Sequence, residues 1–190
     1  MRVFFSILIL VFYFQSWTKA DDIQDFEIEG MSIGDSLLDY FSKNELENKR
    51  EYVKRVKVLK DYSKIVINEN LNNYASLVPS FKSDDYQYII EGIAGRNFYG
   101  QNILGCYNDM KDISKEIESS ITTFEKIDYP KKKLKSLPNG KSYMTAVGYF
   151  VNNGVIGIQC YDFSTEDFSD EDRLSIIIFS DKYNNMLNNN

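Results

Sequence analysis

The sequence predicts an α+β fold: a mainly antiparallel sheet of about five strands, covered on one face by one long helix and by shorter N-terminal helices. Three observations carry that expectation. Apolar residues step by three or four from Asn102 to Phe124, apolar and smaller residues alternate on both sides of Asn153-Gly154, and turn residues cut the rest of the chain into short segments.

Taken in order, Phe26 and Ile28 alternate with Glu27 and Glu29 as an extended segment ending at Gly30, followed by a loop from Met31 to Gly34. Asp35 or Ser36 then caps a short helix presenting Leu37, Leu38, Tyr40 and Phe41. Ser42 with Glu45 three residues on is a capping-box pattern, which starts a second helix running to about Lys54. Tyr62 to Asn68 (YSKIVIN) is rich in β-branched residues and reads as a strand, as does Tyr86 to Ile93 after the polar loop Glu69 to Tyr74.

Gly95 to Gly100 reads as a turn into the long helix. There Ile103, Cys106, Tyr107, Met110, Ile113, Ile117, Ile121 and Phe124 form a single stripe, and Asp109, Lys111, Asp112, Lys115, Glu116 and Glu118 lie away from it. Pro130 with its lysines, then Pro138-Asn139-Gly140, reads as an exposed connection. Asn153-Gly154 suits a two-residue hairpin turn, which pairs Val151 with Ile156, Tyr149 with Ile158 and Val147 with Cys160 on one face. Asn152, Val155, Phe150, Gly157, Gly148 and Gln159 fall on the other face, which is smaller and more polar. Leu174 to Phe179 is a last strand, and Lys182 to Leu187 forms one helical turn before a frayed tail.

The N-terminus fixes the expected compartment. Arg2, the apolar run Val3 to Phe14 broken by Ser6, and Thr18-Lys19-Ala20 ahead of Asp21 predict a cleavable export signal over residues 1–20. The run is about 12 residues where a membrane-spanning helix needs about 20, so one exported domain, residues 21–190, is expected in the periplasm or outside the cell, with no transmembrane segment after cleavage. No cysteine stands near the cleavage point to accept a lipid.

The exported part carries 20 basic against 28 acidic residues, a balance that repels phosphate backbones and argues against nucleic acid as a partner. Histidine is absent from the chain, which excludes Ser-His-Asp and Cys-His nucleophiles and histidine zinc sites while leaving carboxylate chemistry open. No motif asks for a cofactor.

Cys106 on the helical stripe and Cys160 on the apolar face of the hairpin point into one layer when the helix packs on the sheet. In an oxidising compartment they form one disulfide, or they remain two buried thiols acting as small core residues. Without a CxxC spacing or a histidine, a redox or nucleophilic role has little support.

Asp162 to Asp172 (DFSTEDFSDED) crowds six carboxylates between two apolar strands. Asp162, Glu166, Asp167 and Asp170 are the candidate ligands for calcium, a cation that takes six to eight oxygens; the other reading is a solvated loop that keeps strand edges apart. A pair of these carboxylates also offers acid and base groups to a hydrolase. Two basic clusters, Lys49, Arg50, Lys54, Arg55, Lys57 and Lys60, then Lys131, Lys132, Lys133, Lys135 and Lys141, offer Coulomb attraction to an anionic envelope polymer or lipid headgroup, or are simply a solvated helix end and a solvated loop.

The segment from Ile28 to Phe41 (IEGMSIGDSLLDYF), Ile93-Ala94-Gly95 ahead of the cysteine-bearing helix, and Val155 to Asp162 (VIGIQCYD) resemble uncharacterised small exported proteins of AT-rich marine bacteria, along most of the exported chain. That resemblance implies no activity. Gly30-Met31-Ser32-Ile33-Gly34 before a short helix also resembles the start of outer-membrane assembly lipoprotein and β-lactamase-inhibitor-like domains, over about ten residues; the missing lipid-acceptor cysteine departs from the lipoproteins. The function expected is a non-catalytic envelope or periplasmic module that binds a protein or other macromolecule. The alternatives are a hydrolase on the acidic loop and a calcium-stabilised binding domain.

Overall fold

A computed structural model describes residues 22–52, 61–134, 137, 140–166 and 171–188; the expected export signal and Lys54 to Lys60 of the first basic cluster lie outside these described residues. The fold is α+β, built on an antiparallel sheet. Its strands are β3 (Glu51–Tyr52), β4 (Tyr62–Lys64), β5 (Ser76–Lys82), β6 (Gly92–Phe98), β7 (Glu125–Lys133), β8 (Tyr143–Val151), β9 (Gly154–Asp162) and β10 (Arg173–Ser180), in the spatial order β3-β4-β5-β6-β10-β9-β8-β7. A separate ribbon joins β1 (Glu27–Ile28) to β2 (Met31–Ser32) through Glu29 and Gly30, both left-handed.

Among the described residues the sheet has eight strands rather than about five: β3 forms where the second helix is expected to continue, β5 in a stretch to which the sequence reading assigns no element, and β7 across the expected exposed connection. Pro79 sits in β5 and Pro130 in β7, and proline in a short apolar or lysine-rich run mimics a connection. Pro130 coincides with a register shift between Tyr129 and Lys132 on the outermost strand, where a missing N–H costs little. The lysines around it, exposed along β7, keep that edge from pairing with another molecule.

The strand expected over Tyr86 to Ile93 begins only at Gly92. Before it the Asp85 carboxylate accepts the amides of Gln87 and Ile89, and Tyr88 takes a left-handed conformation at φ 53°, so local hydrogen bonds win over β propensity. The expected strand Tyr62 to Asn68 is likewise cut to β4, with a single further bridge from Ile67 to Leu77.

Helix α1 (Lys43–Lys49) carries the expected capping box, Ser42 with Glu45. It stops short of Lys54 because Arg50 turns extended and its guanidinium reaches Ser63 Oγ and the Ser83 carbonyl. The long helix α2 (Ile103–Ser120) starts at the Asn102 cap and ends before Phe124. There the Ser119 and Ser120 hydroxyls donate back to the Glu116 carbonyl, and Ile121 is already extended. Its buried side packs on β9 and β10, and Cys106 is bonded to Cys160 across that seam, with Cα atoms 6.0 Å apart.

The hairpin turns at Asn152-Asn153, with Val151 paired to Gly154 and Tyr149 to Ile156, so the expected register is corrected by two residues. A slip of two preserves the faces, and Tyr149, Ile156, Ile158 and Cys160 still point into the core. Asn153 supplies the left-handed residue at φ 62°, and Gly154 is needed for a different reason. A Cβ there would lie 2.6 Å from Ile23 Cγ1 and closer still to the Phe179 carbonyl, so glycine lets the N-terminal turn and β10 close on the hairpin.

One apolar core fills the layer between α2, the N-terminal segments and the sheet, from Leu77 and Ile93 through Ile176 and Ile158 to Tyr149. The other face of the sheet is open except at one end. There α3 (Asp181–Asn188), following β10 directly, folds back so that Tyr183 packs against Tyr62 and Phe179. Lys182 and the Tyr62 hydroxyl both bond Glu91, which fastens α3 in place.

Candidate functional site

The open face can be read in rows across the strands. Arg96 of β6 stands opposite Ser175 of β10, which stands opposite Gln159 of β9 and then Ala146 of β8. One row on, Arg173 stands opposite Tyr161, and the row on the other side runs from Ala94 through Ile177 and Gly157 to Gly148. Arg96 and Arg173 are therefore diagonal neighbours on adjacent strands, a relation that puts Cβ atoms about 7–8 Å apart.

These two side chains flank a hollow of about 370 Å³ whose walls include Lys64, Ser80, Gln159, Tyr161, Ser175 and Tyr183. No aspartate or glutamate lines it, in a chain whose net charge is −6. Among the described residues neither guanidinium forms an ion pair, and the Nε atom of each is buried with no hydrogen-bond partner.

Arg173 lies over the Tyr161 ring at 4.6 Å and the Phe163 ring at 5.3 Å; those rings are themselves stacked. Stacking of this kind fixes the plane of a guanidinium. Burial, and then the charge of Arg173, pull the Arg96 guanidinium below its ordinary pKa, against Tyr161. Burial pushes the Tyr161 hydroxyl up, and the two arginines oppose that rise. The hollow is thus an electropositive spot whose two guanidinium groups repel one another and whose two buried Nε–H donors are unsatisfied. An anion placed between them relieves both costs.

The acidic loop is arranged differently. Asp162 accepts from Lys131 at 2.6 Å, and Glu166 from Lys141 at 2.6 Å. Asp172 is buried at 3% exposure, and its carboxylate accepts the Phe163 amide. Burial raises its pKa, with the amides of Phe163 and Ile103 opposing, so this carboxylate ties the loop to the start of α2. Asp167 and Asp170 lie outside the described residues, and among the described residues no group of three metal-ligating side chains comes together. Of the second basic cluster, Lys131 and Lys141 are the partners just named, and Lys132 and Lys133 are exposed on β7.

Sequence reasoning missed Arg96 and Arg173. Arg96 falls within the Gly95 to Gly100 stretch that reads as a turn, and Arg173 sits one residue before the expected start of the last strand. The signal that finds them is the period of two: Arg173, Ser175 and Ile177 alternate with Leu174, Ile176 and Ile178, so an arginine on the polar side of a central strand faces away from the core.

Among the described residues no helix is long and apolar enough to cross a membrane. No family model matches the chain, and no curated protein or solved structure matches it.

Proposed function

We propose that this chain is a non-catalytic binding module of the exported compartment, and that its site is the hollow between Arg96 and Arg173, which takes a carboxylate or phosphate group. The observation that supports the reading is the pair of buried, unpartnered Nε atoms in a hollow free of acidic side chains. Buried donors are satisfied in the great majority of cases, and a guanidinium fork matches the oxygens of a carboxylate or phosphate. The disulfide suits an oxidising compartment, which agrees with export.

Inorganic phosphate titrated into the full chain tests the reading. Phosphate should bind and raise the melting temperature, and Arg96→Gln and Arg173→Gln should each weaken binding tenfold or more, as loss of a charge-assisted hydrogen bond of about 1.5–3 kcal/mol requires. Equal affinity in the wild type and in both variants would place any bound anion elsewhere.

A further inference from the structure

The same open face carries a second hollow, of about 280 Å³, that shares Gln159, Ile177 and Phe179 with the arginine hollow. Its floor is Ala146 and the paired glycines Gly148 and Gly157, and its rim is formed by Tyr129, Phe150 and Leu187. None of its lining residues is charged.

The absence of side chains on the floor is enforced on one side, since a Cβ on Gly157 would lie 2.7 Å from Ile177 Cγ1. The depression runs across β10, β9, β8 and β7, three strand spacings or about 14 Å.

Resting on the reading of Arg96 and Arg173 as an anion site, we infer that the ligand is a single-chain aliphatic acid. Its carboxylate lies between the two guanidinium groups, and its hydrocarbon chain crosses Ile177 into the glycine-floored hollow. Charge complementarity sets the head at one end, and the uncharged hollow continuous with it takes the tail. The apolar hollow is small, which suits one chain rather than a two-chain lipid. A peptide is disfavoured as occupant because the floor is the interior of the sheet, where backbone N–H and C=O groups are already paired between strands. Binding a tail here removes apolar surface from water on both partners, so affinity rises with chain length until the hollow is filled.

Calorimetric or NMR titration of the full chain with acetate, hexanoate and dodecanoate below micellar concentration tests the inference. Affinity should grow by about threefold to fourfold per added methylene at first and then level off. Gly148→Val, which fills the floor, and Leu187→Asn, which alters the rim on α3, should each cost dodecanoate tenfold or more and leave acetate unchanged; the second variant keeps the test alive should the first fold poorly. Dodecanoate binding no tighter than acetate, while Arg96→Gln still weakens acetate, would overturn the tail assignment and leave the anion site standing. Insensitivity of both ligands to Arg96→Gln would overturn the anion site itself. A concentration-dependent dimer in sedimentation that Leu187→Asn abolishes, without dodecanoate uptake, would make this face a self-association surface and also overturn the inference.

Discussion

Cys106 on the buried side of the long helix and Cys160 in the interior of the sheet are joined by a disulfide that fastens α2 to β9, and both residues are fully buried. The bond closes a loop with a sequence separation of 54, for which chain entropy gives about 4 kcal/mol of stabilisation. Stabilities of small domains amount to about 5–15 kcal/mol, so this one link is a large share. The double variant Cys106→Ala/Cys160→Ala should unfold at markedly lower urea concentration. Wild-type and variant midpoints that coincide would show that the seam owes nothing to the bond.

Alkaline pH should unfold the protein through its tyrosines. Burial, then the bond to Asp35 and the charges of Asp35, Asp39 and Glu27, push Tyr40 up to about 12. Burial and a carboxylate acceptor raise Tyr62, bonded to Glu91, and Tyr99, bonded to Asp109, further still. The folded state thus holds these protons more tightly than the unfolded chain does. Their stabilisation is complete below pH about 10 and is lost as pH climbs through about 12 and beyond. Tyrosinate absorbance should show a fraction of rings ionising only as far-ultraviolet dichroism collapses. Ionisation of every tyrosine near pH 10 with the fold intact would contradict these hydrogen bonds.

Gly154 should tolerate alanine poorly. The added methyl meets Ile23 and the Phe179 carbonyl, neither of which is the free end of a flexible chain, so Gly154→Ala should cost about 1–3 kcal/mol by overpacking. Gly148→Ala comes closest to the edge of the Tyr129 ring, at 3.3 Å, with Phe150 and the Ile127 carbonyl at ordinary contact distance, and should stay within a few tenths of a kcal/mol of wild type. Thermal melts of the two variants that shift equally would remove the close approach as the reason for glycine at the hairpin end.

Much of the fold was legible because its strongest signals are local. The Ser42–Glu45 box, the stripe through Cys106 and Met110, and alternation in residues 147–160 each depend on neighbours close in sequence. The turn lies one residue earlier than its composition suggests, at Asn152-Asn153 rather than Asn153-Gly154, because Gly154 is held by Ile23 from the other end of the chain. Strands β5 and β7 were hidden by Pro79 and Pro130, whose tolerance depends on which strands lie beside them. The candidate site was illegible for the same reason at larger scale. Arg96 and Arg173 are unremarkable as isolated positions and become a pair only when β6 and β10 lie side by side.

The acidic loop makes a separate prediction. With Asp162 held by Lys131 and Glu166 by Lys141, two of the four candidate calcium ligands are already neutralised. Melting temperatures in chelator and in millimolar calcium should therefore coincide. A rise with calcium would make Asp162, Glu166, Asp167 and Asp170 a cation site after all.

The most direct measurement of the central claim is an NMR titration that follows the arginine Nε–H signals as phosphate or a carboxylate is added. The account predicts that the signals of Arg96 and Arg173, whose Nε atoms have no partner in the free protein, shift together and saturate, while that of Arg50, bonded through Nε to Ser63, stays in place. Saturable binding that leaves the Arg96 and Arg173 signals unmoved would contradict it.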